Sequence, residues 1–268
     1  MKMRNILLVV AAVALASTSM LAKPPVIPKN KGTSILHFFV RKAMVNDGVM
    51  TNAVGRVDAK RNQQGKADNQ RLDIAVGQLE PSATYQLLAL LGDDTNYTQI
   101  APLTTDTNGN AAVRYMRVGS SKNPKAGVGR GKTALPDELN PISDIRALAV
   151  ANSSTQAVLT ADLTAPDKLQ YLIKRWMDAD PAYTNVAASL QLSATTSAVR
   201  MKLRGYGLEP SQSYLLAVNG AVVDTAMAKT NGRLDFISLP VSPSDILLVR
   251  ELAIWGSTSN NILSTRLP

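Results

Sequence analysis

The sequence predicts an all-β protein: two tandem antiparallel β-sandwich domains, related by internal duplication and preceded by a signal peptide. Three observations lead there. Apolar and polar residues alternate with period two through the long segments, as in half-buried strands, and no amphipathic pattern longer than a turn or two of helix competes with them. Four blocks recur in the same order along the chain, which makes it two copies of one unit. Each copy reads as seven or eight short strands over about 100 to 130 residues, the size and pattern of a two-sheet sandwich.

The elements follow in chain order. Lys2 and Arg4 precede an apolar run from Ile6 to Ala16 and then small residues, the order of a secretory signal peptide over residues 1–22. The run is shorter than the roughly 20 residues a bilayer span needs, so no transmembrane span is expected once it is cleaved. Retention of the uncut segment as an anchor is the alternative, with Ala14, Ala16, Ser17, Ser19 and Ala22 as candidate cleavage positions. The chain has no cysteine, which removes disulfides, thiolate metal sites and a lipid-modified cysteine together. An exported chain without disulfides must be held by its core. That composition suits bacterial export, to the periplasm, the cell envelope or the medium.

Residues 23–33 read as a linker, 34–163 as the first sandwich and 167–268 as the second. The first recurring block pairs Leu36–Asn52 with Leu169–Asn185 at an offset of 133, and the second pairs the segments beginning at Arg71 and Arg200 at 129. Thr-Asn-Gly recurs at 107–109 and 230–232, offset 123, and Ile145–Leu163 matches Val249–Leu267, offset 104. Leu36, Phe38 and Val40 alternate with His37, Phe39 and Arg41, and Leu169, Tyr171 and Ile173 repeat the pattern, so a strand is preferred over a helix at Lys168–Met177. Asp47-Gly48, Asn108-Gly109, Asp180-Pro181 and Asn231-Gly232 are turn signals, because glycine and asparagine tolerate positive φ.

Leu79–Tyr85 and Leu208–Tyr214 both read L-x-P-x-x-x-Y. This resembles the tyrosine corner of fibronectin type III and immunoglobulin-like sandwiches, in which the hydroxyl bonds back to the backbone. The resemblance implies a structural role for Tyr85 and Tyr214 and carries over no function; that the family consists mostly of adhesion and spacer modules is an analogy at the level of fold alone. The pattern departs from the family in having several strands after the corner.

Ala126–Thr133, AGVGRGKT, has the lysine and hydroxyl of a phosphate-binding loop. Such a loop must leave a buried strand and open a helix. Here Pro136 and Pro141 bracket too little chain for one, Ala126 replaces the first glycine, and the second copy lacks the segment, so neither a nucleotide nor any other cofactor is expected. The connection 119–140 is long and specific to the first copy. Its Lys122, Lys125, Arg130 and Lys132 make it a candidate anion-binding loop.

Gly92–Asn96 and Asp106–Asn110 carry oxygen ligands at spacings calcium can use. Yet Asp106 becomes Lys229 in the second copy while Asn-Gly persists, so the shared feature is the turn and no metal is expected. The single histidine, His37, lies in an alternating strand and is Gln170 in the second copy. One histidine cannot build a multi-histidine zinc site, and nothing points to His37 as a catalytic base. Arg71 with Arg200, and Arg146 with Arg250, match between copies and read as a solvated face. Trp176 and Trp255 occur only in the second copy, in place of Ala43 and Ala151; core filling or packing between the domains is the preferred reading, and a candidate aromatic platform for a ligand is the alternative.

Removing residues 1–22 takes Lys2 and Arg4 from the 29 basic residues and none of the 20 acidic ones, leaving a net charge of +7. Such a balance favours anionic polymers, glycans or an unidentified protein as partner, while the scarcity of aromatics disfavours nucleic acid. The function expected is that of an exported, non-enzymatic structural or binding protein. The alternative is a carbohydrate-binding protein or a glycan hydrolase working through paired carboxylates.

Overall fold

The structure, a computed structural model, describes residues 32–117 and 133–268. Within them the chain is all-β, with no helix longer than a single 3-10 turn. The first half carries β1 (Ile35–Asn46), β2 (Val54–Gln64), β3 (Ala67–Gly77), β4 (Thr84–Leu91), β5 (Thr98–Thr104), β6 (Ala111–Arg117), β7 (Thr133–Ala134), β8 (Ile145–Ala151) and β9 (Ala157–Asp162). The second carries β10 (Lys168–Ala179), β11 (Ala187–Thr195), β12 (Val199–Tyr206), β13 (Ser213–Val218), β14 (Ala221–Met227), β15 (Leu234–Phe236), β16 (Glu251–Trp255) and β17 (Asn261–Arg266). Lys168–Met177 is strand, as its alternation requires.

One long strand organises each half. Residues 35–44 of β1 pair with β2, and Val45 and Asn46 pair with β9. The order 6-3-2-1 therefore continues through 9-8-4-5, and the sheet curls over its own apolar face. In the second half β10 does the same: residues 170–177 pair with β11, and Asp178 and Ala179 with β17, giving 15-12-11-10 and then 17-16-13-14. Among the described residues no pairing joins β5 to β6 or β14 to β15, so each half is an open curled sheet rather than a closed barrel. Register shifts between Leu87 and Leu88 and between Leu216 and Ala217 sit at matching places in the curled layer, where a bulge adds the twist that bending needs.

The halves are joined through a continuous sheet. β1 and β10 pair antiparallel with Leu36 opposite Ile173, Phe38 opposite Tyr171 and Val40 opposite Leu169. Each of these residues faces the counterpart of its own mirror position, so a local two-fold axis passes between Phe38 and Tyr171, both 4% exposed. The buried apolar residues of the two halves form one cluster across this seam. The short connection after β9 is tied along β1: the Arg41 carbonyl accepts from the Asp167 N–H at 2.9 Å, and Lys42 Nζ donates to the Ala165 carbonyl at 2.6 Å.

Backbone conformation corresponds between the halves at several positions. Left-handed residues fall at matched positions: Gln78 and Gly207, Ser82 and Ser211, Gly109 and Gly232, Thr155 and Ser259. At Gly109, φ is +75° and a Cβ would lie 2.1 Å from the Leu79 carbonyl oxygen, so the Asn-Gly turn is held by close backbone approach as well as by dihedral preference.

Residues 133–144 continue as β7, paired in parallel with β6, and two 3-10 turns. The helix a phosphate-binding loop would open is not present after Thr133. A buried polar clamp fixes this segment. Gln70, 1% exposed, donates to Asp68 (3.0 Å) and Asn140 (2.8 Å) and accepts the Ile142 N–H (2.9 Å). Arg61 grips both Asp68 oxygens at 3.0 Å and donates to the Ser143 hydroxyl at 3.0 Å. No fully buried side-chain nitrogen or oxygen of the clamp lacks a partner, the condition for burying it at little cost.

Candidate functional site

Alternation along 6-3-2-1-10-11-12-15 sends one set of side chains into the core and the other to a single outer face running across both halves. The outer set is rich in cations. In the first half Arg41, Arg56, Arg71 and Arg114 are paired with two aspartates. Asp58 accepts a two-pronged bond from Arg41 (2.7 and 2.9 Å) with Arg56 3.8 Å away, and Asp73 lies 2.5 Å from both Arg71 and Arg114. The Arg41 hydrogen bonds hold the Asp58 carboxyl below the ordinary range despite partial burial.

In the second half the ion pairs of this face rest on one carboxylate, Asp235. At the offsets of the sequence repeat, Asp58 corresponds to Gln191, Asp73 to Lys202, Arg41 to Lys174 and Ala75 to Arg204. Lys174, Lys202, Arg204, Gln191, Ser189 and Trp176 line a cavity of about 310 Å³ on the outer face, near Gly32 and Thr33 where the described chain begins. No carboxylate lines it. Lys174 and Lys202 make no ion pair among the described residues. Arg204 is 3.6 Å from Asp235, an aspartate shared with Arg233 (2.8 Å) and Lys229 (3.0 Å). Burial pushes the Asp235 carboxyl up, but the bonds from Arg233 and Lys229 outweigh it and hold the group ionised.

Aromatic rings interleave with these cations. Trp176 and Tyr206 have centroids 6.0 Å apart with planes tilted by 38°. Nearer the seam, the Arg41 guanidinium and the Lys168 ammonium lie 5.8 and 5.9 Å from the Phe39 ring centre.

The residues singled out from the sequence are distributed as follows. Lys122, Lys125, Arg130 and Lys132 lie outside the described residues. Trp176 is in the groove, whereas Trp255 belongs to β16 in the curled layer, with Leu215 and Asn261 opposite; Tyr206 is the aromatic neighbour of Trp176. Tyr85 and Tyr214 are buried at the start of β4 and β13, and their hydroxyls accept the backbone N–H of Glu80 (3.1 Å) and Glu209 (2.9 Å). His37 Nδ1 meets the Asn62 amide oxygen at 3.0 Å on the outer face. Asp106 uses one carboxylate oxygen to accept the Asn108 and Asn110 N–H groups of its own turn. Among the described residues no group of three histidine or carboxylate side chains is placed to hold a metal ion, and no helix is long and apolar enough to cross a membrane.

Sequence reasoning did not pick out Lys174, Gln191, Lys202, Arg204 or Tyr206. Part of the signal was present, since Lys202 and Arg204 replace Asp73 and Ala75 inside a matching block. What was missing is their adjacency to Lys174 across two strand boundaries, which only register supplies. No protein-family model, no curated protein and no solved structure matches the chain.

Proposed function

We propose that the chain is an exported, non-enzymatic binding protein, two copies of one β unit fused side by side, that holds an anionic polymer on the outer face of its second half. One observation carries the reading: Lys174, Lys202 and Arg204 converge on a groove without a carboxylate, where the first half has Asp58 and Asp73. Lys174 and Lys202 stand level on either side of Gln191, and Arg204 lies two residues further along the strand of Lys202; cations spaced this way across one face suit repeating negative charge. The Trp176–Tyr206 pair in the same region favours an acidic glycan among such polymers, because sugar rings stack on aromatic faces. The polybasic start and apolar run at Lys2–Ala16 support export, and with it a ligand of the cell envelope or extracellular space.

The test is titration with size-defined heparin fragments, with neutral dextran as control. Counterion release contributes about −0.7 per neutralised charge to the slope of log K against log salt, taking the value for a flexible single strand. Three contacts give a slope of about −2, or roughly a 20-fold loss of affinity between 50 and 200 mM salt. Lys202→Asp, which installs the residue of the first half, should weaken binding by at least about tenfold and flatten the slope by about 0.7. Unchanged affinity and slope in that variant would exclude the groove as the site.

A further inference from the structure

A second cavity, of about 370 Å³, opens at the loop end of the second half, between the β10–β11, β12–β13 and β16–β17 connections. It lies in the lower part of the range of ordinary small-ligand sites, roughly 300–1,000 Å³. Its lining differs in kind from the basic face. Tyr183, Asn185, Glu209, Gln212, Tyr214 and Asn260 converge on it, and no lysine or arginine does.

The corresponding end of the first half is built from different residues. There Met50 occupies the position of Tyr183, and the Tyr85 hydroxyl, after accepting the Glu80 N–H, donates its own proton to Met50 Sδ at 3.4 Å. In the second half Tyr183 turns its hydroxyl to Asn260 instead. The Tyr214 hydroxyl accepts the Glu209 N–H at 2.9 Å, and its proton meets no acceptor among the described residues. Tyr214 is 5% exposed and lines the cavity. Burial raises its pKa above the ordinary phenol value, which keeps the proton in place at neutral pH. A hydroxyl proton without a protein acceptor at a cavity wall can be donated to an oxygen of a molecule in the cavity.

From the unpartnered Tyr214 hydroxyl, the three amide side chains, the single carboxylate and the absence of cations, we infer that this cavity binds one or two rings of a neutral sugar. Amides offer donors and acceptors together, and Glu209 takes a hydroxyl donor, the mixture a polyhydroxylated ring matches. A phosphate, sulfate or carboxylate ligand is opposed by Glu209. The site is separate from the basic groove and stands or falls independently of it.

The test uses the ¹⁵N-labelled chain titrated separately with maltose, lactose, cellobiose and N,N′-diacetylchitobiose up to about 10 mM, well above the millimolar dissociation constants of weak sites. At least one sugar should shift the backbone amides of residues 183–186 and 209–214 saturably. Tyr183→Met, the residue of the first half, should remove a lining hydroxyl, offer the Tyr214 proton the sulfur acceptor that Tyr85 has in Met50, and weaken binding at least about tenfold with thermal stability retained; Glu209→Gln should weaken it while leaving the cavity shape intact. Lys202→Asp should leave sugar binding unchanged. No shift with any of the four sugars, shifts that survive Tyr183→Met, or binding of simple amines in place of sugars would each overturn the inference.

Discussion

Replacing Phe38 by alanine probes whether the seam makes the two halves one cooperative body. Phe38 is 4% exposed and stands opposite Tyr171 at the two-fold axis between β1 and β10, inside the apolar cluster the halves share. Truncating a buried phenylalanine costs about 3–5 kcal/mol, the removed transfer energy plus the cavity left behind. In a protein of this size each kcal/mol lowers the melting temperature by about 2–4 °C, so a drop of about 6–20 °C is expected. The two tryptophans make the assay selective, because Trp176 and Trp255 both lie in the second half while Phe38 lies in the first. Thermal unfolding followed by tryptophan fluorescence and by far-ultraviolet circular dichroism should give coincident transitions, both shifted. A tryptophan transition that stays in place while part of the dichroism signal moves would show two independent halves and refute the cooperative seam.

Further outcomes follow from local geometry and charge. Gly207→Ala forces an L side chain to φ +76° with its Cβ 2.0 Å from the Asn185 carbonyl oxygen, so it should cost more than the ~1–2 kcal/mol of the dihedral alone; Gln78→Gly at the matched position should stay within about 1 kcal/mol of neutral, measured by chemical denaturation. Asp58, Asp167 and Asp235 all have folded-state pKa values below the ordinary one, Asp58 chiefly through Arg41 and Asp167 chiefly through the Ala43 N–H. Because the unfolded chain binds these protons first, their stabilisation is complete above the ordinary aspartate pKa of about 3.9 and is lost as pH falls below it. The melting temperature should thus be flat between about pH 7 and 5 and fall below about pH 4; a fall already complete by pH 5 would assign acid sensitivity to other groups.

The strands were legible because alternation leaves little choice. Leu36, Phe38 and Val40, and their counterparts Leu169, Tyr171 and Ile173, can share one buried face only in an extended chain. The positive-φ turn at Asn108-Gly109 was legible for a similar local reason. The pairing of β1 with β10 was not, because Phe38 and Tyr171 would alternate identically in an edge strand and in a central one, and partner choice lies in tertiary contacts that spacing does not encode. Gln70 was equally silent: a glutamine in an alternating segment does not announce that it clamps Asn140 and Ile142. For the candidate site, the difference between Asp73 and Lys202 was visible when the matched sequence blocks were aligned. Its consequence depends on β10, β11 and β12 lying side by side, which places Lys174, Gln191 and Lys202 on one face. Trp176 and Trp255 looked like partners because both are tryptophans peculiar to one half, whereas the strands that carry them belong to different layers and Tyr206 takes the place beside Trp176.

Lysine acetylation footprinting with a heparin fragment at low salt tests the central claim most directly, since it reads each ammonium group separately in the unaltered chain. Protection of Lys174 and Lys202, with Lys60 on the compensated half modified at its free rate, is the expected pattern. Protection confined to Lys122, Lys125 and Lys132, or no less strong at Lys60 than at Lys202, would contradict it and move the binding surface elsewhere.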